Sequence, residues 1–347
     1  MPTTNTNLGA AKKAKNDEFY TRMEDIQVEL AHYRHHFKNK TVLCNCDDPY
    51  ESNFFTYFAL NFNFLGLKKL IATSYCGSSL ANTTYTVTRT PYVATMTRFD
   101  DANGDRATDM SDVKAMMKDG RINVRPLTGT GDFRSDECLA FLDEADIVAT
   151  NPPFSLFREF IATLMEHDKK FLVLGNINAT TYKEIFPLIK NNQMWPGHSF
   201  NKTMTFSMPE NYQSKTSERD ERGRKIGKVP AIAWYTNLDT PKRHEEMILF
   251  RSYYGHEQDY PTYDNYDAIE VSKVRDIPGD YTGVMGVPIT FLGKYNPDQF
   301  EILGSHRWCK SPDLLALYIG TCTPPESDKK TLIGGKETYS RIFIRRR

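Results

Sequence analysis

Four consecutive residues, Asn151-Pro152-Pro153-Phe154, combine a neutral side-chain acceptor, a stiff turn and an aromatic face. Pro153 has no N–H, holds φ near about −65°, and drives Pro152 away from the helical region. Ring geometry therefore aims the Pro152 carbonyl, which lies beside the Asn151 side chain, while Phe154 offers a flat surface. Two acceptors and a ring suit a planar group bearing an exocyclic NH2, such as adenine. Accepting both amino hydrogens would draw the nitrogen lone pair out of conjugation and aim it at an electrophile. The competing assignment is an ordinary Pro-Pro turn that caps the next helix and leaves Phe154 in the core. Carboxylates at Asp47 and Asp48, ahead of Pro49, could bind a hydroxyl or ammonium group, or one of them could simply cap a helix. Gly129-Thr130-Gly131-Asp132-Phe133 has the glycines of a phosphate loop but not its Lys-Ser/Thr, so an ordinary loop remains open there.

These residues need elements to hold them, and the pattern supplies strand and helix in alternation. The apolar run Ile147 to Ala149 ends a buried strand. Leu156, Phe157, Phe160, Ile161 and Leu164 then fall on one helical face. Ligands of open α/β sheets sit outside the carboxyl ends of the strands, which is where this arrangement puts the tetrapeptide. Further strands are predicted at 41–46, 69–73, 122–126 and 170–174; Asp47-Asp48-Pro49 leads into a helix running to about Phe62, and further helices fall at 111–118 and 182–190. Asn16 or Asp17 caps a first helix whose stripe is Phe19, Tyr20, Met23, Ile26, Leu30, Tyr33 and Phe37. Segments 203–207 and 231–236 read as a closing antiparallel pair. The expected fold is a doubly wound, mostly parallel α/β sheet with a smaller C-terminal region.

Other stretches carry weaker signals. Residues 1–15 read as a flexible arm with Lys12, Lys13 and Lys15, residues 16–240 as the main domain, and 241–347 as a tyrosine-rich second region. Residues 76–97 look like an insertion or short hairpin without an assigned role. The run 210–228, with Lys215, Arg219, Arg222, Arg224, Lys225 and Lys228, reads as a solvated loop or a DNA-contacting one. Arg345-Arg346-Arg347 reads as a solvated basic tail.

Composition narrows the class. The chain has 347 residues, 39% apolar and 25% charged, as in a soluble globular protein. Lys+Arg 44 against Asp+Glu 44 excludes histone-like binding of nucleic acid, so any DNA contact must come from a local basic face. Six cysteines (44, 46, 76, 138, 309 and 322) form neither a zinc pattern nor a disulfide framework, which implies no metal and a reducing, cytoplasmic setting. Met1 to Ala11 lacks the apolar core of a signal peptide, and no apolar run is long enough to span a membrane.

Several segments, taken together, carry a resemblance. Lys15-Asn16-Asp17-Glu18-Phe19-Tyr20-Thr21, Val42-Leu43-Cys44-Asn45-Cys46-Asp47-Asp48-Pro49 and Ser52-Asn53-Phe54-Phe55 join the Asn-Pro-Pro-Phe motif. Gly283-Val284-Met285-Gly286-Val287-Pro288-Ile289-Thr290-Phe291 and Asn296-Pro297-Asp298-Gln299-Phe300 follow. From about residue 10 to about residue 305 the chain resembles the EcoRI-type adenine-specific DNA methyltransferases. That resemblance implies a Rossmann-like S-adenosylmethionine-dependent methyltransferase fold that methylates adenine N6 on double-stranded DNA. It implies base flipping and a functional pairing with a restriction endonuclease. It makes Asn151, Pro152, Pro153 and Phe154 catalytic. It gives cofactor binding to Phe19, Tyr20, Thr21, Asp47, Asp48, Pro49, Asp132 and Phe133, and target recognition to 241–347. Related enzymes carry two glycines after Asp-Pro, where this chain has Ser52 and Phe54 nearby. The rival functions are an amino-methyltransferase acting on RNA or a protein glutamine, and a nucleic-acid-binding module without catalysis.

Overall fold

A computed structural model describes residues 20–46, 48–49, 52–75, 90–102, 104–105, 107–208, 217–220, 223, 225–229, 231–305, 312–319 and 330–347. Their contacts divide the chain into two compact units. The first holds the described residues up to Asn176 together with Lys202–Leu238, and the second holds Ile177–Asn201 and Asp239–Arg347.

The first unit opens with a two-residue strand, β1 (Tyr20–Thr21), and a helix, α1 (Met23–Leu30). Then come β2 (Thr41–Cys44), α2 (Asn53–Leu60), β3 (Lys69–Thr73) and β4 (Tyr92–Met96). Next are α3 (Met110–Lys118), β5 (Asn123–Pro126), α4 (Asp136–Glu144) and β6 (Ile147–Thr150). The unit finishes with α5 (Phe157–Glu166), β7 (Lys170–Asn176), β8 (Met204–Ser207), β9 (Ser217–Arg219), β10 (Lys225–Val229) and β11 (Ile232–Thr236).

Its strands in the central sheet run in the order β5-β4-β3-β2-β6-β7-β11. The middle four, β3, β2, β6 and β7, are mutually parallel, whereas β4 and β11 oppose their neighbours. Every residue of β2 and β6 is buried, because helices cover both faces and a parallel strand so placed must be apolar throughout. Two neighbouring residues of β11 show both faces. Trp234 meets Phe54 of α2 at 5.7 Å between ring centroids, and Tyr235 meets Phe157 of α5 at 5.2 Å. Successive strand residues point to opposite faces, so α2 and α5 lie on opposite sides. At the N-terminal edge, Asp146 accepts the Thr41 N–H at 2.8 Å and meets Lys40 at 3.3 Å, which sets β6 beside β2.

Four expectations need correction here. The first helix does not begin near Asp17: Tyr20 and Thr21 pair with Ser207 and Phe206 as a strand, and helix starts only at Met23. Backbone pairing to β8 outcompeted the helical stripe at this end. Segments 203–207 and 231–236 do not pair with each other; β11 takes the edge of β7, and β8 pairs with β1 and β10. The charged run is in part a strand hairpin, β9 with β10, carrying Arg219, Lys225 and Lys228, while Lys215, Arg222 and Arg224 lie outside the described residues. Within 76–97, Tyr92–Met96 is a full member of the central sheet, antiparallel to β3; residues 76–89 lie outside the description.

The second unit carries an independent sheet of β12 (Ile269–Glu270), β13 (Met285–Pro288), β14 (Phe300–Ser305) and β15 (Arg341–Arg346), in the order β12-β13-β15-β14. Several of its tyrosines fill the core: Tyr260, Tyr263, Tyr266 and Tyr295 are buried, while Tyr254 is 62% exposed. Arg341 forks onto the Glu270 carboxylate, with its Nε 2.9 Å from each oxygen, and the Tyr263 hydroxyl donates to the same carboxylate. The three terminal arginines are exposed, as a solvated segment should be, but they are not a tail. Arg345 and Arg346 end β15, Arg345 pairs with Glu301 at 2.8 Å, and the Arg347 N–H donates to the Gln299 carbonyl at 2.9 Å. Buried Ile342, Phe343 and Ile344 hold that strand in the sheet.

Candidate active site

The carboxyl edge of β6 delivers the tetrapeptide. Thr150 is fully buried, Asn151 is half-buried with its Oδ1 buried, Pro152 is buried, and Pro153 and Phe154 are half-buried. Pro153 has φ −55° and ψ 123°, and its carbonyl accepts the Leu156 N–H at 2.9 Å, opening a single tight turn into α5. The helix is seated by Phe157. An ideal Cβ on Gly175 of β7 would stand 2.5 Å from the Phe157 ring, so that ring occupies the room left by the missing side chain. Tyr235 backs the ring and anchors itself by donating its hydroxyl to the Asn176 carbonyl at 2.9 Å. Phe154 is half-buried at the edge and packs against the core, as the core assignment weighed from sequence requires.

The neighbouring edge, after β2, is built by hydrogen bonds. Ser52 caps α2, accepting the Phe54 N–H at 3.1 Å, and its own N–H donates to the Asp48 carbonyl at 2.7 Å. The cap is therefore Ser52 and neither aspartate. Cys46 takes the left-handed conformation at φ 69°, and Pro49 is buried. Asp48 is half-buried and its carboxylate accepts from the Tyr92 hydroxyl of β4. Thr150 reaches across from β6 to donate to the Asn45 carbonyl. Thr21 is buried in β1, and its carbonyl accepts from Asn53 Nδ2 at 2.6 Å beside the start of α2.

A third loop docks on this edge. Gly131 has φ 76°, and a Cβ there would lie 2.1 Å from the Ser74 carbonyl, so only glycine lets the loop lie so close to the end of β3. Ser74 is tied in turn to Tyr92, whose N–H donates to Ser74 Oγ at 2.9 Å. Asp132, half-buried, is gripped by Arg134: Oδ1 accepts from Nε at 2.9 Å and Oδ2 from the terminal nitrogen at 2.7 Å. That guanidinium holds the Asp132 carboxyl below its usual range, and Arg134 also pairs with Glu159 at 2.7 Å. Phe133 is buried with its ring edge-on to Phe160 of α5 at 5.0 Å.

Thr21, Asp48, Pro49, Asp132, Phe133 and the tetrapeptide thus lie on one linked set of loops at the carboxyl edge, with the Tyr20 backbone in β1. Phe19 and Asp47 fall outside the described residues. Tyr92, Thr150, Asn45 and Thr73 were missed. Tyr92 sat in a stretch without periodicity, and the others read as ordinary strand ends. Among the described residues, Thr21 Oγ1, Asn45 Oδ1 and Thr73 Oγ1 are buried without a hydrogen-bond partner. Each such group costs about 1–3 kcal/mol. Their grouping around β2, β3 and α2 suits a ligand rich in hydroxyl and amino groups, so the edge fits S-adenosylmethionine in chemical kind.

The family model for the adenine-specific methyltransferase EcoRI matches residues 7–347. The chain is 44% identical over 345 residues to the Type II methyltransferase M.EcoRI of Escherichia coli, covering 99% of this chain and 97% of that one. It is 42% identical to the Type II methyltransferase M.MpnI of Mycoplasma pneumoniae (97% of each chain) and 41% identical to M.MgeORF184P of Mycoplasma genitalium (84% of each). No solved structure matches. Among the described residues no helix is long and apolar enough to cross a membrane. With the family matched from near one end to the other and the relatives this similar, the chain belongs to the EcoRI family of adenine-specific methyltransferases.

Proposed function

We propose that this enzyme methylates the N6 amino group of an adenine flipped out of a specific site in double-stranded DNA, using S-adenosylmethionine. We propose further that it is the modification half of a restriction-modification pair working in the cytoplasm. The observation that carries the reading is the placement of Asn151-Pro152-Pro153-Phe154 at the end of β6, one residue from the Thr150 contact to the loop that bears Asp48. When bound, S-adenosylmethionine supplies an electrophilic methyl group. Thr21, Asn45, Asp48 and Thr73 are the residues that would hold it, through the buried polar atoms and the carboxylate on this edge. Asn151 Oδ1 and the Pro152 carbonyl accept the two amino hydrogens of the adenine and keep its nitrogen lone pair available. Phe154 stacks on the extruded base, which offsets part of the few kcal/mol that flipping costs; such stacking contributes ~1–3 kcal/mol. Positioning, with no covalent enzyme intermediate, supplies the rate.

Target recognition falls to 241–347, and phosphate contact to the β9–β10 hairpin, where Arg219 and Lys228 are exposed. DNA is favoured over RNA or a protein glutamine because the matched relatives carry Type II methyltransferase names across their whole length. The test is Asn151→Ala on duplex DNA with 2-aminopurine at the target adenine. Methyl transfer falls by about 100-fold or more, as when one oriented polar contact is lost in a transition state, while donor and DNA still bind and the fluorescence stays bright. Phe154→Ala gives the weaker fluorescence signal. Full turnover by Asn151→Ala removes the amine-acceptor role and the adenine assignment with it.

A further inference from the structure

The turn from β2 to α2 has no glycine, yet it reverses sharply enough to put Cys46 at φ 69°, a conformation that side chains other than glycine seldom adopt. Two side chains from other strands grip it on either side of that residue. Thr150, on β6, donates its hydroxyl to the carbonyl of Asn45, the residue just before Cys46. Tyr92, on β4, donates its hydroxyl to the carboxylate of Asp48, two residues after it. Ser52 closes the far end by capping α2. The strands that deliver these hydroxyls flank the turn from opposite directions, since β6 borders β2 on one side and β3 with β4 lies on the other.

We propose that Thr150 and Tyr92 are positioning residues that together clamp the β2–α2 turn in its donor-binding shape. Their placement ties the turn to both other parts of the edge. Thr150 immediately precedes Asn151, so the hydroxyl that holds the Asn45 carbonyl also fixes the strand end that aims the amine acceptor. Tyr92 is hydrogen-bonded through its backbone to Ser74, on which Gly131 packs, so the residue that orients Asp48 also seats the loop of Asp132. Backbone freedom at this turn is replaced by side-chain hydrogen bonds from elements that exist only once the sheet has formed. The inference rests on S-adenosylmethionine being the donor, as argued above.

The experiment uses the full-length protein with Tyr92→Phe and Thr150→Val, which remove a hydroxyl at nearly constant shape, and Thr150→Ser, which keeps the hydroxyl and drops a methyl. Binding of S-adenosylmethionine and S-adenosylhomocysteine is measured by calorimetry, the ligand-free melting temperature by scanning, and kcat and KM on duplex DNA by methyl transfer. Tyr92→Phe and Thr150→Val each bind both ligands about tenfold more weakly, the size of effect expected from losing one hydrogen bond to a charged or buried group. Tyr92→Phe raises KM for the donor and leaves kcat alone, because it frees the Asp48 carboxylate and leaves Thr150 and Asn151 held as before. Thr150→Val raises KM and lowers kcat, because it loosens Asn151 as well. Thr150→Ser, which keeps the hydroxyl, restores both. Parent-like binding by Tyr92→Phe and Thr150→Val overturns the proposal, as does a Thr150→Ser variant as weak as Thr150→Val. If Thr150→Val fails to fold, Tyr92→Phe decides alone, and parent-like binding by it overturns the proposal. A parent protein that binds neither ligand refutes the donor assignment itself, and that result is separate from any difference among the variants.

Discussion

Two turns at one sheet edge are made stiff by different means. After β6 the stiffness is covalent, since Pro152 and Pro153 carry their own φ restriction and Pro153 needs only its carbonyl bond to Leu156 to start the helix. After β2 it is borrowed: Ser52, Thr150 and Tyr92 supply hydrogen bonds, and the last two come from 105 and 44 residues away in sequence. A proline turn keeps much of its shape in the unfolded chain, whereas the borrowed turn acquires its shape only when β4 and β6 are in place. Under the proposed function, the amine acceptor would be set locally and the donor side by the assembled sheet.

The largest test of that contrast removes the support beneath the proline turn. Phe157→Ala empties the space between Gly175 and Tyr235 and should lower stability by ~3–5 kcal/mol in denaturant titration. A loss under about 1 kcal/mol would mean that α5 is seated by something else. Gly131→Ala comes next. A methyl at φ 76° facing the Ser74 carbonyl at 2.1 Å should cost about 2–3 kcal/mol and weaken donor binding, since the loop must lift off the edge. Ser52→Ala should cost about 1 kcal/mol through the lost cap and reduce donor affinity, because the borrowed turn loses one of its holds. Pro153→Ala should have the smallest effect on stability, about 0.4–1 kcal/mol from added freedom in the unfolded chain, with methyl transfer slowed and donor binding unchanged. If Pro153→Ala proves more damaging to donor binding than Ser52→Ala, the division between a local and a borrowed turn collapses.

The same contrast explains what could be read from sequence. The parallel strands were legible because burial on both faces leaves continuous apolar runs, as at 70–72 and 147–149. The turn at Asn151 to Phe154 was legible because proline's constraint needs no partner. Tyr92 was not, since its meaning depends on Asp48 lying across two strands, and nothing in the 76–97 stretch marks it. Tyr20 and Thr21 misled for the related reason that a helical stripe can be overridden by pairing with a strand 187 positions away, Tyr20 with Ser207. In the second unit, tyrosines that stood apart in a loop-rich sequence gather into a core, and the final arginines close a sheet whose other strands lie far upstream.

The ion pair between Arg341 and Glu270, joined by Tyr263, constrains how the second unit can be rebuilt. Removing one member of a buried pair strands its partner's charge, at about 3–5 kcal/mol, whereas exchanging the whole set for apolar residues can be neutral. Tyr263 and Glu270 lie seven positions apart but Arg341 lies 71 beyond Glu270. A chimera with a relative that lacks the same trio, joined anywhere between Glu270 and Arg341, would therefore inherit half of a charge pair. Recombination within this unit is safest before Tyr263, where all three residues travel together as a single heritable module.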